Sequence, residues 1–323
     1  MTVDYVALGD SYAAGVGAGT ETGACRTTAG AFPVLWAADK DKVHLTLAAC
    51  SAATSADVIR TQLDKLTADT DLVSVTVGAN DLGLTDTLRL CATAPQGEAC
   101  TTALARIPQA LATTVPAGVG ELLTRVRVKA PKAKLVVTGY PVPFADAAQC
   151  PGLPLPAALR TAGTAAITGL NQVLAATAAA AKATFVDVSA AFAGHAQCTP
   201  EPWLVGAEGL GNETVLHPTL VGQTKGFLPA FVAQAGSVDE IIAWIQERDG
   251  ATTPPSGDPT TSPSPTKTAG GAVAAPHQGG GGGGLPVTGP GVGVIVGVGL
   301  LLIVAGVVGF TVWRPRRVRV VSE

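Results

Sequence analysis

The sequence predicts an α/β fold: a three-layer α/β/α sandwich around a parallel sheet of about five strands. Two observations carry this. Short apolar runs recur through residues 1–248, and longer Ala/Leu-rich stretches separate them. Strands alternating with helices favour parallel pairing through crossovers, which gathers functional residues at the carboxyl ends of the strands. Three of those ends here carry polar, glycine-marked text.

"VDYVALG" opens the set, and "KVHLTLAA" (42–49) alternates like a second strand. "DLVSVTVG" (71–78), "AKLVVTG" (133–139) and "ATFVDVS" (183–189) read as the rest. Helical stretches fall at 31–40, 56–66, 101–129 and 156–182, and a last one at 219–247 closes the domain. No internal repeat stands out.

The 323 residues suffice for one sizeable domain or two small ones. A net charge of only -3 leaves no basic surface for nucleic acid. The six cysteines, Cys25, Cys50, Cys91, Cys100, Cys150 and Cys198, show no CxxC or Cys/His ligand spacing. An even number without ligand spacing favours disulfides and an oxidising compartment. Sequential pairing is favoured, because Cys91 and Cys100 bracket one short loop containing Pro95 and Gly97.

From residue 249 the text changes. Residues 249–284 are rich in Pro, Ser, Thr and Gly and read as a disordered tether. "LPVTG" (285–289) follows, then an uncharged apolar run within 291–313, long enough to cross a bilayer as a helix. A basic tail, 314–323, holds Arg314, Arg316, Arg317 and Arg319 and favours a cytoplasmic end. This three-part ending resembles the sorting signal of Gram-positive surface proteins handled by sortase. The resemblance implies cleavage between Thr288 and Gly289 and transfer of Thr288 to peptidoglycan. The apolar helix would hold the precursor in the membrane beforehand. The expected location is therefore extracellular, anchored on the wall of a Gram-positive bacterium. No basic and apolar leader precedes the first strand, so either the start is mis-assigned or trimmed, which is favoured, or the export route is not readable from this sequence.

The polar strand ends are "GDSY" with Ser11, "ACSAATS" (49–55) and "VGAND" (77–81); "LHPTLVG" with His217 comes late in the domain. A serine needs a base within reach to become a nucleophile. Of four histidines, His44 lies inside a strand, His277 in the tether and His195 in a loop before Cys198. His217, ahead of a proline at a helix entry, is the best base. Asn80 can add a side-chain donor to the N–H groups of a strand-to-helix turn, forming an oxyanion hole. Asp10 and Asp81 read as turn-fixing residues.

This set resembles the SGNH, or GDSL, hydrolase family across residues 3 to about 235. The resemblance implies a flavodoxin-like sheet, with Ser11 as nucleophile, Asn80 as oxyanion donor and His217 as base. The N–H of Ser11 completes the hole with that of Ala52, which stands where the family carries glycine. If that position requires positive φ, alanine costs about 1 kcal/mol or more. The family's aspartate three residues before the histidine is Thr214 here. Some secreted bacterial members orient the histidine by a backbone carbonyl, which implies Thr214 or Val215 in that part. The same branch implies Cys25–Cys50, Cys91–Cys100 and Cys150–Cys198.

No GxSxG elbow, no metal-ligand cluster and no need for a cofactor are visible. The expected activity is two-step hydrolysis of a carboxylic ester through a Ser–His dyad. Aromatic residues are 4% of the chain, which offers sugars no stacking platform and favours a lipid or simple acyl ester. Polysaccharide O-deacetylation is the alternative within enzymes. A wall-displayed adhesin on an inactive scaffold is the alternative of another class, with Ala52 as its sign of decay.

Overall fold

The computed structural model describes residues 1–153 and 155–250. Residues 249 and 250, expected to begin the tether, instead end the last helix, and the rest of the tether, the LPVTG motif, the apolar span and the basic tail lie outside the described residues. Among those residues no helix is long and apolar enough to cross a membrane.

In chain order come β1 (Val3–Gly9), α1 (Ser11–Ala14), α2 (Phe32–Trp36), β2 (Val43–Leu47) and α3 (Ser55–Thr61). Next are β3 (Leu72–Thr76), α4 (Leu84–Thr93), α5 (Glu98–Ala112), α6 (Thr114–Lys129) and β4 (Lys134–Thr138). Then follow α7 (Ala157–Ala180), β5 (Thr184–Val186), α8 (Leu228–Ala235) and α9 (Val238–Gly250). The five strands form one parallel sheet in the order β2-β1-β3-β4-β5. The order reverses between β1 and β3, and ligands of open α/β sheets bind above such a point.

Strand periodicity of two splits the core across the sheet. Val6, Leu8, Val73, Val75, Leu135 and Val137 pack on one side with residues of α3, α6 and α7. Tyr5, Ala7, Leu72, Val136 and Val186 face the other side, under α2, α8 and α9. Hydroxyls buried at the sheet are paired: Tyr5 Oη with Ser74 Oγ at 2.7 Å and Thr76 Oγ1 with Thr138 Oγ1 at 2.6 Å. Pairing of this kind removes the penalty of burying a lone hydroxyl.

Three expected elements differ. The stretch 101–129 is two helices, α5 and α6, broken at Thr113 (φ -130°). Pro116 has no N–H for the Ala112 carbonyl four residues back, which weakens the helix at this point. The stretch 219–247 is likewise divided, into a π-turn segment (Gly222–Phe227), α8 and α9, with Gly236 at φ 110° as the break. Helix α4 was not anticipated. Its cleft-facing stripe is Leu84, Leu88 and Cys91, at i, i+4 and i+7, and it is short and interrupted by polar residues.

Candidate active site

Gly9 ends β1 at φ 134°, and a Cβ there would lie 2.2 Å from the Thr76 carbonyl oxygen on β3. Only glycine permits this approach, which lets the chain turn sharply at the sheet end. The Gln62 side chain holds the turn by accepting from Gly9 N (2.8 Å) and donating to Gly9 O (2.9 Å). Asp10 then caps α1, accepting from Tyr12 N at 2.9 Å, and so places Ser11 in the first turn of a helix.

Asp10 is buried and also accepts from Tyr140 Oη at 2.5 Å. Burial pushes its carboxyl up to about 7, against the lowering effect of the Tyr140 and Tyr12 bonds. Asp81 receives Ser55 N and Ser55 Oγ, joining the turn after β3 to the start of α3. Both aspartates therefore hold turns.

The second turn carries Ala52 at φ 65°, in the left-handed region. Around it Ser51 N donates to Cys25 O (3.1 Å) and Ala53 N to Cys50 O (3.2 Å), beside the Cys25–Cys50 disulfide. Asn80 Nδ2 donates to Ala53 O at 3.0 Å from the turn after β3. One amide hydrogen of Asn80 is left over. Among the described residues the N–H groups of Ser11 and Ala52 meet no acceptor.

His217 Nε2 lies 2.7 Å from Ser11 Oγ. For Nε2 to accept the serine proton, the ring must carry its own proton on Nδ1. That nitrogen is buried and reaches no partner at hydrogen-bond geometry. The Thr214 and Val215 carbonyls still act on the ring and favour its charged form. Burial outweighs them and lowers the imidazole to about 4, so the ring is neutral at physiological pH. Arg26 pushes in the same direction as burial, and Glu21 opposes it.

The remaining described histidines lie elsewhere. His44 is exposed, 3.4 Å from Asp4. His195 stacks on Trp203 at a centroid distance of 3.6 Å. Two further disulfides, Cys91–Cys100 and Cys150–Cys198, complete the cysteines. Among the described residues no three His, Cys, Asp or Glu side chains gather as a metal site.

Ser11, Asn80 and His217 line one cleft, and its walls are apolar. Leu84 and Leu88 of α4, Leu104 and Ile107 of α5, Leu159 of α7 and Phe144 supply much of that wall. Cys91 also faces the cleft, so its disulfide ties α4 to α5 at the wall itself. Sequence reasoning missed this hairpin, although the spacing of Leu84, Leu88 and Cys91 is a readable signal.

Residues 7–225 match the GDSL-like lipase/acylhydrolase family. The chain belongs to that family. A lipase of Streptomyces rimosus is 40% identical over 233 residues, covering 71% of this chain and 85% of the relative. Lipase 1 of Streptomyces coelicolor is 39% identical over 228 residues, covering 70% and 84% respectively. The crystal structure of the extracellular lipase from Streptomyces rimosus superposes with a TM-score of 0.66 at 39% identity, over 72% of this chain and all of that one. A phospholipase A1 from Streptomyces albidoflavus NA297 gives the same TM-score at 38% identity and the same coverages. This GDSL-family chain is a carboxylic ester hydrolase, with the family's α/β fold and five-stranded parallel sheet.

Proposed function

We propose that this GDSL-family chain hydrolyses lipid or simple acyl esters outside the cell through a Ser11–His217 dyad. The observation that carries the reading is the 2.7 Å contact between Ser11 Oγ and a buried, neutral His217 at an apolar cleft. Ser11 Oγ attacks the ester carbonyl while His217 Nε2 takes the hydroxyl proton. The carbonyl oxygen becomes an oxyanion, received by Ser11 N–H, Ala52 N–H and the spare amide hydrogen of Asn80. The imidazolium then gives its proton to the departing alkoxide, leaving an acyl-serine. Water attacks the acyl-serine, His217 accepts its proton and returns it to Ser11 Oγ, and the carboxylic acid leaves. Thr214 and Val215 carbonyls steady the transient charge in place of a carboxylate.

The apolar wall formed by α4, α5 and α7 suits an acyl chain longer than acetyl, which supports a lipid ester over an acetylated glycan. Three disulfides suit an oxidising location. The LPVTG ending with its apolar run and arginines supports wall display of residues 1–248 on the tether of 249–284, with sortase and peptidoglycan as partners.

The test is hydrolysis of p-nitrophenyl esters of graded chain length and of acetylated polysaccharide by the full chain. Ser11→Ala and His217→Ala are each expected to lose at least about a thousandfold in kcat. Equal activity in all three proteins would overturn the dyad, and a preference for acetyl would replace lipid with glycan. Display is tested by Thr288→Ala, which should abolish covalent attachment to the wall.

A further inference from the structure

We propose that Tyr12 is the positioning residue that holds His217 on Ser11, by fixing the main chain that carries the imidazole. This inference rests on the dyad proposed above. The Thr214 and Val215 carbonyls act on the imidazole, but Nδ1 bonds neither at full hydrogen-bond geometry, so they do not lock the ring alone. Rotation about the last side-chain bond of histidine is soft, so neighbours must set it.

Those neighbours converge on Tyr12. Its hydroxyl donates to the carbonyl oxygen of Leu216, the residue immediately before His217, at 2.8 Å. Its ring lies against the imidazole at a centroid distance of 5.0 Å and a tilt of 35°. Leu216 stands at φ 64°, a conformation that costs a branched side chain of order 1–2 kcal/mol and persists only where the surroundings enforce it. Leu216 N donates to Val205 O at 2.8 Å and Val205 N to His217 O at 2.8 Å, which pins the main chain on one side. The Tyr12 hydroxyl pins the carbonyl on the other.

Tyr12 is itself fixed. Its N–H bonds Asp10, and its carbonyl accepts from Gln223 Nε2 at 3.0 Å. Gln223 is fully buried in the π-turn segment, and its Oε1 accepts from Phe32 N at 3.0 Å. The Tyr12 ring also meets Tyr140 edge-on at 4.9 Å. Burial and the Asp10 charge raise the phenol, so it stays a donor at working pH. Ser11 and Tyr12 are adjacent, so one rigid turn carries the nucleophile and the group that aims its base. A shift of the turn moves both together and preserves their contact.

Tyr12→Phe in the full chain removes the hydroxyl and keeps the ring. The expected result with p-nitrophenyl butyrate is a kcat about tenfold lower, with KM within twofold. The acidic limb of kcat/KM should also rise by a unit or more towards 6.5, because a loosened imidazole regains water. A purely structural role would leave that limb in place. A ring-fluorinated tyrosine at position 12 keeps shape and donor but ionises at lower pH. It should add an alkaline limb to kcat that the parent lacks, because a phenolate repels the Leu216 carbonyl. Should Tyr12→Phe fail to fold, this second variant decides alone. A Tyr12→Phe kcat within twofold of the parent with an unmoved limb, or a fluorinated variant without the alkaline limb, would overturn the proposal. Activity surviving in Ser11→Ala or His217→Ala is a different result, and fails the dyad itself.

Discussion

Asn80 Nδ2 donates to the Ala53 carbonyl over 3.0 Å, and this bond joins the turns that follow β3 and β2. It leaves one Asn80 amide hydrogen over, the one proposed above as an oxyanion donor alongside the N–H of Ala52. Asn80→Ala is expected to lower kcat about a hundredfold or more while KM changes little, because the lost donor acts on developing charge. Steady-state kinetics on a short ester measures both, and a loss confined to KM would remove Asn80 from the hole.

Ala52 tests the backbone instead of the side chain. At φ 65° alanine carries strain of order 1 kcal/mol, which Ala52→Gly relieves. The glycine also loosens the unfolded chain by a similar amount. Stability should therefore move by less than about 1 kcal/mol, with activity kept. Ala52→Val, branched at Cβ, should lose both. Urea midpoints and kcat on the three proteins check this, and an inactive Ala52→Gly would be the contrary result.

On the proposed dyad, the low pKa of His217 is expected to set the acid side of activity. A dyad needs neutral imidazole, so kcat/KM should hold down to about pH 5 and fall through about 4, well below the usual 6.5. The charges acting on the ring are Arg26 and Glu21, already paired with each other at 2.6 Å. Glu21→Gln removes the charge that raises the imidazole and should move the limb lower. A pH series on an uncharged ester reads both shifts.

His217 and Asp10 also affect stability in opposite senses. The imidazole is lowered in the folded protein, so the unfolded chain binds more protons between about 6.5 and 4, and stability falls as pH drops through that window. Asp10 is raised to about 7 from 3.8, so its contribution is full in acid and is lost as pH rises through that range. Asp10→Asn removes only the second effect. Relative to the parent, it should be more stable at pH 8 than at pH 4.5 in paired denaturation curves.

The Cys91–Cys100 link bears on chain length. It fastens α4 to α5 where Leu84, Leu88, Leu104 and Ile107 line the cleft. Replacing both cysteines with alanine should reduce activity on long acyl esters several-fold more than on butyrate. Closing a loop of 9 residues stabilises by about 2–3 kcal/mol, so the melting point should fall as well. Equal loss on every chain length would separate the hairpin from substrate choice.

All five strands were legible because alternation and bounding turns are local signals. The first strand matches end to end, and the ends of the other four moved by one to three residues, as with 183–189, which narrows to Thr184–Val186. Ser11, Asn80 and His217 could be singled out because each stands in polar text next to a strand or helix entry. Helix α4 was not legible as a wall of the site, since Leu84, Leu88 and Cys91 acquire meaning only beside α5 and α7. Nor was Tyr12, whose partner Leu216 lies 204 positions away.

By itself the sequence determined the strand–helix alternation, the turn residues that need glycine or a cap, and the residue types able to do acyl transfer. The tertiary structure alone decided that Ser11 meets His217, that Ala52 and Leu216 adopt positive φ, and that the imidazole is neutral. The division is physical. Propensity and turn chemistry act between near neighbours in the chain, whereas burial, pKa and the shape of a cleft come from segments brought together only by the packed core.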